Sequence, residues 1–304
     1  MNSITVFGIF VADLCFFSNS IPQKGQSILG SKHLVGPGGK GSNQAIAAAK
    51  LNGEVHFITK LGDDQYSKMA ISHYNDSGVK INSLAQDSTL TTGVAGIMIN
   101  EITGDNIINV IPGAASYITN QDVDKNIDIL KKSKIFLTQL EIPSKVTSYA
   151  IKKAKELGCV VILNPAPARE IKNSDYKNID FFTPNEKEAS FYLKKNIESD
   201  TDIKMASSKF LKMGIKNVIL TLGSRGIYFA NKDDSYFLPA LDLKGKVVDT
   251  TGAGDAFNGA FSVALSKNFS YKDALIFANK VAGISTTKLG AAKSMPTLNE
   301  VNNY

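Results

Sequence analysis

Short apolar runs, rich in Val, Ile, Leu and Phe, alternate along the chain with longer segments whose apolar residues recur at helical spacing. Buried parallel strands are predicted for these runs, at 4–9, 55–61, 135–140, 160–163, 181–183 and 218–222. Helical patterns separate most of them, as at 42–51, 145–157 and 206–213. This alternation predicts an α/β fold, with a doubly wound, mostly parallel central sheet and helices on both faces. The 304 residues suit one such domain spanning 1–304.

Two stretches, 15–35 and 91–111, break this rhythm. Their short apolar runs are punctuated by proline, glycine and aspartate, and they lack helical periodicity. This character predicts hairpins. We expect the two hairpins to pair into a small β-sheet lid over the functional site, although two unrelated surface hairpins would show the same pattern.

Charge and cysteine content exclude several classes of function. The net charge of +6 comes from scattered lysines, and no run of five basic residues marks a nucleic-acid-binding arm. Cys15 and Cys159 form no CxxC pair and are expected to be reduced, and His33, His56 and His73 are not at metal-ligand spacing. The chain start lacks the basic flank of a signal peptide, and no run approaches ~20 apolar residues. We therefore expect a cytoplasmic protein without nucleic-acid or membrane partners.

The most informative segment is 249–261, DTTGAGDAFNGAF, in which a glycine-rich turn leads into a helix of small residues. Backbone amides of Gly252, Ala253, Gly254 and Asp255 would converge at the helix N-terminus, where they could hold the phosphoryl group during its transfer. Asp255 lies in the first turn, so its carboxylate could accept a proton from an incoming hydroxyl. The alternative is a helix-capping aspartate with no catalytic role.

A second glycine cluster, GPGGKGSN at 36–43, precedes a predicted helix. It formally matches GxGxxG, but it follows a hairpin-like insertion rather than the first strand, so a dinucleotide site is not favoured. It also fails the P-loop pattern, because Gly41 follows Lys40 where Ser or Thr would hold a metal ion. We interpret it as a backbone that lets a polyol approach closely, with Lys40 and Asn43 hydrogen-bonding its hydroxyls.

Asp63 and Asp64 follow the second predicted strand, and we interpret them as a pair at the N-cap of the next helix.

Over nearly its whole length the chain resembles the ribokinase-like, or PfkB, family of carbohydrate kinases. Five segments carry the resemblance in the order of the family's motifs: GGKGSNQA at 38–45, QLE at 139–141, LNPAPA at 163–168 with TPNE at 183–186, TLGSRG at 221–226, and DTTGAGDAF at 249–257. The first resembles the family's sugar-binding signature and the last its catalytic signature.

The resemblance implies a role for each matching position. Sugar contacts are implied for Asp13, Gly39, Lys40, Gly41, Ser42, Asn43 and Glu141, and Asp255 is implied as the catalytic base. ATP is implied to lie along Asn185, Thr221, Leu222, Gly223, Ser224, Arg225, Gly226, Gly254 and Asn279. Asn185 and Glu188 match the NxxE motif that helps place Mg²⁺, a cation that prefers oxygen ligands. An activating monovalent cation such as K⁺ is implied at Asp249, Thr251, Ser285, Lys288, Gly290 and Ser294.

The chain departs from the family at one sugar-contacting position. Family members with ribose as substrate have Asn-x-Asp after the first strand, and here the three residues are Val11-Ala12-Asp13. Val11 cannot hydrogen-bond a hydroxyl, but its apolar side chain suits the CH₂ of 2-deoxyribose. We expect phosphorylation of D-ribose at O5, with a weaker preference over 2-deoxyribose than an Asn would give. Val11 could instead simply pack beneath the lid.

Other functions remain open from the sequence. Another small sugar is possible, or a nucleoside, for which Phe10, Phe16 and Phe17 could form an aromatic slot. A sugar-sensing binding protein could use the same fold without turnover. We also expect a homodimer in which two lids cover each other.

Overall fold

The computed structural model describes residues 2–304, and it contains thirteen β-strands and ten α-helices. The strands are β1 (Ser3–Phe7), β2 (Val11–Ser18), β3 (Lys32–Gly38), β4 (Val55–Gly62), β5 (Leu84–Asp87), β6 (Thr92–Asn100), β7 (Asn106–Gly113), β8 (Ser133–Thr138), β9 (Val160–Leu163), β10 (Phe181–Phe182), β11 (Asn217–Thr221), β12 (Ile227–Asn231) and β13 (Ser235–Leu238). The helices are α1 (Lys40–Lys50), α2 (Gln65–Ser77), α3 (Asn120–Asp124), α4 (Ile127–Lys132), α5 (Ser144–Glu156), α6 (Glu186–Leu193), α7 (Asp200–Lys212), α8 (Ala253–Ser266), α9 (Tyr271–Ser285) and α10 (Leu298–Asn303).

The large sheet has nine strands in the order β13-β12-β11-β10-β9-β8-β1-β4-β5. All pairs from β11 to β5 are parallel, and β12 and β13 add an antiparallel edge. The six predicted parallel strands are confirmed as β1, β4, β8, β9, β10 and β11, and the three predicted helices as α1, α5 and α7. The predicted doubly wound α/β fold is therefore confirmed.

Alternate side chains of the central strands pack in two separate apolar cores, one on each face of the sheet. Val6, Phe57 and Leu137 pack with the small residues of α1 and α8. On the other face, Phe7 and Phe136 pack with α5 and α7. Parallel strands that are covered on both sides read as continuous apolar runs, which is why the sequence pattern revealed them.

A second, four-stranded sheet has the order β3-β2-β6-β7 and combines both stretches that were predicted as hairpins. β2 pairs with β3, and β6 with β7, in antiparallel fashion. β2 and β6 join the two hairpins in parallel over eight residue pairs, from Val11 opposite Gly93 to Ser18 opposite Asn100. We call this element the small sheet. Its closure over the site stays a prediction.

Within residues 2–304, no helix is long and apolar enough to cross a membrane. Neither Cys15 nor Cys159 is in a disulfide, and Cys159 is buried whereas Cys15 is only partly buried.

Candidate active site

The N-terminus of α8 is formed by a residue without a side chain. Its N-cap is Gly252, whose φ of 79° lies in the left-handed region that favours glycine. A side chain at this position would also press against Ala291, because a Cβ would lie 3.0 Å from the Ala291 Cα. The Ala253 N–H donates to the Thr250 carbonyl at 3.2 Å, so this predicted amide is already used. Since no side chain caps this helix, the N–H groups of Gly254 and Asp255 are available to an external anion.

Asp255 lies in the first turn of α8 and is 7% exposed. Its carboxylate is hydrogen-bonded by two amide side chains of α1. Asn43 Nδ2 donates to Oδ2 at 3.0 Å, and Gln44 Nε2 donates to Oδ1 at 2.9 Å. The predicted base and the glycine cluster around Lys40 are therefore in direct contact, although more than 200 residues separate them along the chain.

The glycines at 38–41 bring α1 close to its neighbours. Gly39, the N-cap of α1, has a φ of 87°, and a Cβ there would lie 2.6 Å from the Ile9 carbonyl oxygen. A Cβ on Gly38 would collide with the Asp13 carboxylate at 2.2 Å. The cluster therefore serves close packing of backbone against backbone and leaves room for the Asp13 side chain.

One ammonium group and four carboxyl groups share this region. Burial raises the pKa of Asp13 to about 6 and that of Glu141 to about 7, and the Asp255 carboxylate adds to both rises. Burial also raises the pKa of Asp255 itself, against the opposing effect of Lys40. Burial acts to lower the Lys40 pKa, but the carboxylates of Asp255, Glu141 and Glu188 outweigh it and raise that pKa. The Lys40 backbone N–H is held by Glu141 Oε2 at 2.9 Å.

A cavity of about 170 Å³ opens at the N-terminus of α8. Its walls come from α1, α6, α8, the end of β11 and the loops that follow β9 and β10. Seven of its lining residues were predicted as site residues: Lys40, Asn185, Glu188, Thr221, Gly252, Gly254 and Asp255. The cavity lies at the carboxyl ends of the parallel strands, where ligands bind in open α/β sheets.

Asn185 and Glu188 form a reciprocal capping box at the start of α6. Asn185 Oδ1 accepts from the Glu188 N–H, and Glu188 Oε2 accepts from the Asn185 N–H, both at 2.8 Å. Thr221, at the end of β11, pairs with Asn185 in an isolated parallel β-bridge. The capping box thereby orients two oxygen-bearing side chains at the rim of the cavity.

Comparison with known proteins gives consistent results. The sequence profile of the pfkB family carbohydrate kinases matches residues 1–298. The chain belongs to this family of carbohydrate kinases. It is 34% identical to a ribokinase of Bacillus subtilis over 301 residues, and 33% identical to a deoxyribokinase of Salmonella typhi over 302 residues. Each alignment covers 99% of this chain and 98% of the relative.

Comparison of the fold with solved structures gives the same result as comparison of the sequences. The structure of Arabidopsis thaliana ribokinase, complexed with ribose and ATP, matches with a TM-score of 0.91 at 30% identity, covering 99% of this chain and 97% of that one. The chain is therefore a ribokinase-like sugar kinase, and relatives with two different sugar specificities resemble it almost equally.

Three residues implied in ligand binding have protein partners in this kinase. Arg225 pairs with Glu186 at 2.6 Å and with Asp200 at 3.2 Å. Asn279 Nδ2 donates to the Pro239 carbonyl at 2.6 Å. Lys288 pairs with Glu300. None of these three side chains is among those that line the cavity.

The residues implied in monovalent-cation binding lie on segments that meet beside the start of α8. Asp249 Oδ1 accepts from the Thr251 N–H, and its Oδ2 accepts from the Gly290 N–H, both at 2.9 Å. The Asp249 N–H donates to the Thr286 carbonyl at 3.1 Å. The kinase thus brings 249–252 against 286–291, and the buried Ser285 and Ser294 flank this contact.

Sequence reasoning missed a set of buried polar side chains around Asp255, three of which also line the cavity. They come from the loops after β8, β9 and β10 and from α1 and α8: Gln44, Gln139, Asn164, Thr183 and Asn258. Each lies next to a residue singled out in the sequence or within a quoted motif. Polar residues directly after apolar strand runs were the available signal, because parallel strands end at a common edge of the sheet.

Proposed function

We propose that this kinase transfers the γ-phosphoryl group of ATP to O5 of D-ribose, giving ribose 5-phosphate and ADP. The observation that carries the proposal is the position of the Asp255 carboxylate, which lies in one cavity with Lys40 and with the uncapped first turn of α8. A proton acceptor, a cation and an anion-binding helix end are the parts that phosphoryl transfer to an alcohol requires. The likeness to the Bacillus subtilis and Arabidopsis thaliana ribokinases supports ribose as the acceptor.

In the proposed reaction the sugar lies between the 38–43 loop, Asp13 and Glu141, while ATP enters along Asn185 and the 221–226 turn. O5 forms a bond to the γ-phosphorus as the bond to the β-phosphate oxygen breaks, and Asp255 takes the hydroxyl proton. The amides near Gly252 and Gly254 and the Lys40 ammonium stabilise the charge on the moving phosphoryl group. The raised pKa of Asp255 makes its carboxylate a better proton acceptor.

Mg²⁺ fits the oxygen donors at the rim of the cavity. Asn185 and Glu188 line it, and burial raises the pKa of the Glu188 carboxyl. Among residues 2–304, no group of three or more His, Cys, Asp or Glu side chains could hold a metal ion. The residues present therefore suit a cation that keeps several waters and binds mainly to nucleotide phosphates. When bound, Mg²⁺ would neutralise phosphate charge.

We propose that K⁺ binds where 249–251 meets 285–294, chiefly through backbone carbonyls. Both carboxylate oxygens of Asp249 are used by backbone N–H groups, so the side chain shapes the loops that present those carbonyls. We also expect the kinase to work in the cytoplasm, where ATP is available and thiols such as the free Cys15 and Cys159 stay reduced.

A second acceptor, 2-deoxyribose, is favoured by one observation. Val11 lies on the same face of β2 as Asp13, two residues away, and it has no polar group to offer a 2-hydroxyl. The nucleoside alternative has less support, because Phe10 is fully buried in the core, edge-on to Tyr74, and cannot line a slot.

We propose that the small sheet closes over the bound sugar and excludes water, which would limit ATP hydrolysis. We further propose that two small sheets cover each other in a homodimer. The strands carry exposed apolar side chains, including Phe16 at 49% and Ile107 at 57%. Exposed apolar residues in such number on one sheet support a contact surface.

An ATP-consumption assay over ribose, 2-deoxyribose, other pentoses, hexoses and nucleosides tests the proposal, with and without Mg²⁺ and K⁺. We expect the highest kcat/KM for ribose, with product mass and NMR locating the phosphate on O5. Asp255→Ala should lower kcat by at least about 1000-fold while calorimetry still detects sugar binding. Undiminished turnover in Asp255→Ala would refute the mechanism. A higher kcat/KM for 2-deoxyribose than for ribose in the parent protein would show that 2-deoxyribose, and not ribose, is the preferred substrate.

A further inference from the structure

A chain of buried amides leads from a backbone carbonyl to the carboxylate of Asp255. Asn164 Nδ2 donates to the Thr183 carbonyl at 3.2 Å, and Gln44 Nε2 donates to Asn164 Oδ1 at 3.1 Å. The same Gln44 nitrogen donates to Asp255 Oδ1 at 2.9 Å. Gln139 Nε2 completes the chain by donating to Gln44 Oε1 at 2.5 Å. Gln44 is fully buried, so its side chain is enclosed by these partners.

The direction of this chain is determined by its first bond. A backbone carbonyl can only accept, so Asn164 must present its nitrogen to Thr183 and its oxygen to Gln44. Gln44 must then present Nε2 to Asn164, and the second hydrogen of that nitrogen is left for Asp255. The donor that faces Asp255 Oδ1 is therefore permanent and cannot be reversed without breaking the bond to the backbone.

The other carboxylate oxygen has a different environment. Asp255 Oδ2 accepts only from Asn43 Nδ2, and Asn43 Oδ1 is buried without a hydrogen-bond partner in the described structure. Turning the Asn43 amide breaks its bond to Oδ2, but no second hydrogen bond resists the turn, and a substrate hydroxyl could satisfy the unpaired Oδ1 in exchange. The two oxygens of Asp255 thus differ: Oδ1 accepts from an amide that further hydrogen bonds fix, and Oδ2 accepts from an amide that only this one bond orients.

We propose that Gln44 is a positioning residue that holds Asp255 Oδ1, so that Oδ2 alone takes the proton of the sugar hydroxyl. Asn43 yields Oδ2 to the substrate and turns its unsatisfied oxygen toward the hydroxyl or toward the newly protonated Oδ2. This inference rests on the proposed function of Asp255 as the base, and it adds that the two carboxylate oxygens have different roles.

The charged groups around Asp255 bear on any measured pH dependence. They are Lys40 on α1, Asp13 on β2, Glu141 after β8 and Glu188 on α6. All of them remain in a Gln44 variant, so they contribute equally to the parent protein and the variant. A difference in the acid limb of the kcat–pH profile then reports the loss of the Gln44 donor.

Gln44→Met tests the proposal, because methionine matches glutamine in length but cannot donate a hydrogen bond. We expect kcat to fall on the order of 10-fold, with the KM for sugar changed by less than about twofold, because the bond acts on the base and not on bound sugar. The acid limb of the profile should move up by about one pH unit, since a donor to the ionised carboxylate is lost. In an Asp255→Asn background, Gln44→Met should lower the residual kcat by less than about twofold.

Asn217→Leu is the matched control. Asn217 is a buried amide on β11 that donates to the Asp180 carbonyl at 2.9 Å, at the end of that strand away from Thr221. The Asn217→Leu substitution should lower the melting temperature without moving the acid limb of the kcat–pH profile. Should Gln44→Met fail to fold, Asn164→Leu leaves Gln44 in place but removes the acceptor that orients it, and the same readouts apply with a smaller expected shift.

An unmoved acid limb in Gln44→Met would overturn the inference, and so would an equal loss of kcat in the Asp255→Asn background. All variants are assayed with the sugar that the parent protein phosphorylates fastest. A preference for a sugar other than ribose would contradict the proposed substrate. That preference is measured in the parent protein alone, so it is separate from the test of Gln44.

Discussion

Val11 shows how a single apolar residue bears on sugar choice. Its side chain is 3% exposed and packs in the core cluster that contains Ile9 and Ala95. It also lies on the face of β2 that carries the Asp13 carboxylate. The residue therefore fills core space and also borders the proposed sugar site.

Val11→Asn separates the two roles. An asparagine here would be enclosed by apolar groups, with the 2-hydroxyl of ribose as a hydrogen-bond partner near Asp13. We expect the ribose to 2-deoxyribose ratio of kcat/KM to rise about tenfold, because the unpaired amide disfavours the sugar that lacks the hydroxyl. Steady-state kinetics with both sugars measure the ratio. Val11→Ala, which removes volume without adding polarity, should leave the ratio unchanged, and an unchanged ratio in Val11→Asn would show that Val11 only packs.

At the scale of elements, Asp64 joins α2 to the base of the small sheet. The prediction that an aspartate pair caps this helix is confirmed for Asp64, whose Oδ1 accepts from the N–H groups of Tyr66 and Ser67. Its Oδ2 accepts from the Thr92 N–H at 2.7 Å, where β6 begins. Thr92 Oγ1 in turn accepts from the Gly62 N–H at 3.0 Å, at the end of β4. One side chain thus connects a helix cap to the sheet that carries Asp13.

Asp64→Ala should destabilise the kinase by about 2 kcal/mol, from the lost cap and the lost bond to Thr92. It should also raise the KM for sugar several-fold, because the small sheet loses an anchor. Urea unfolding and steady-state kinetics measure the two effects. Ser199→Ala is the control, since Ser199 caps α7 through the Asp202 N–H at 3.1 Å and lies far from the small sheet in the sequence. It should cost about 1 kcal/mol and leave KM unchanged.

The stability effect of Asp64 should depend on pH. Burial acts to raise the Asp64 pKa, but hydrogen bonds from Thr92, Ser67 and Tyr66 outweigh it and hold the pKa below its ordinary value of 3.8. A depressed pKa contributes stability above the unfolded value and loses it as the pH falls through the folded value. The stability difference between the parent protein and Asp64→Ala should therefore shrink below about pH 4. A difference that stays constant down to pH 3 would contradict this account.

At the scale of the whole molecule, the small sheet presents a face of exposed apolar side chains. Strand register places five of these side chains opposite to the face that carries Asp13, and that face in turn carries the exposed Leu34, Ile108 and Val110. The five are 42–57% exposed, and the set comprises Phe16, Val35, Met98, Ile107 and Ile111. A monomer would leave this face in water, which is why we expect a second copy to cover it.

Ile107→Asp should convert the expected dimer to a monomer, because a carboxylate at the centre of an apolar contact loses its hydration without gaining a partner. Light scattering after gel filtration measures the mass over a range of protein concentrations. Ile276→Asp on α9 places the same change at a site of similar exposure, 48% against 57%, and should leave the mass unchanged. A parent protein that is monomeric at high concentration would refute the proposed homodimer.

Local sequence patterns determined the central strands, the helices between them and the helix end at Gly252, whereas the grouping of Asp255 with the loop around Lys40 was implied by the family resemblance. The local features follow from periodicity, backbone conformation and short motifs, which act over a few residues. Only the tertiary structure decided the parallel pairing of β2 with β6, the ion pairs of Arg225 and the contact of Gln44 with Asp255. Such contacts join side chains far apart in the chain, so they depend on how the cores pack and on where buried donors find acceptors.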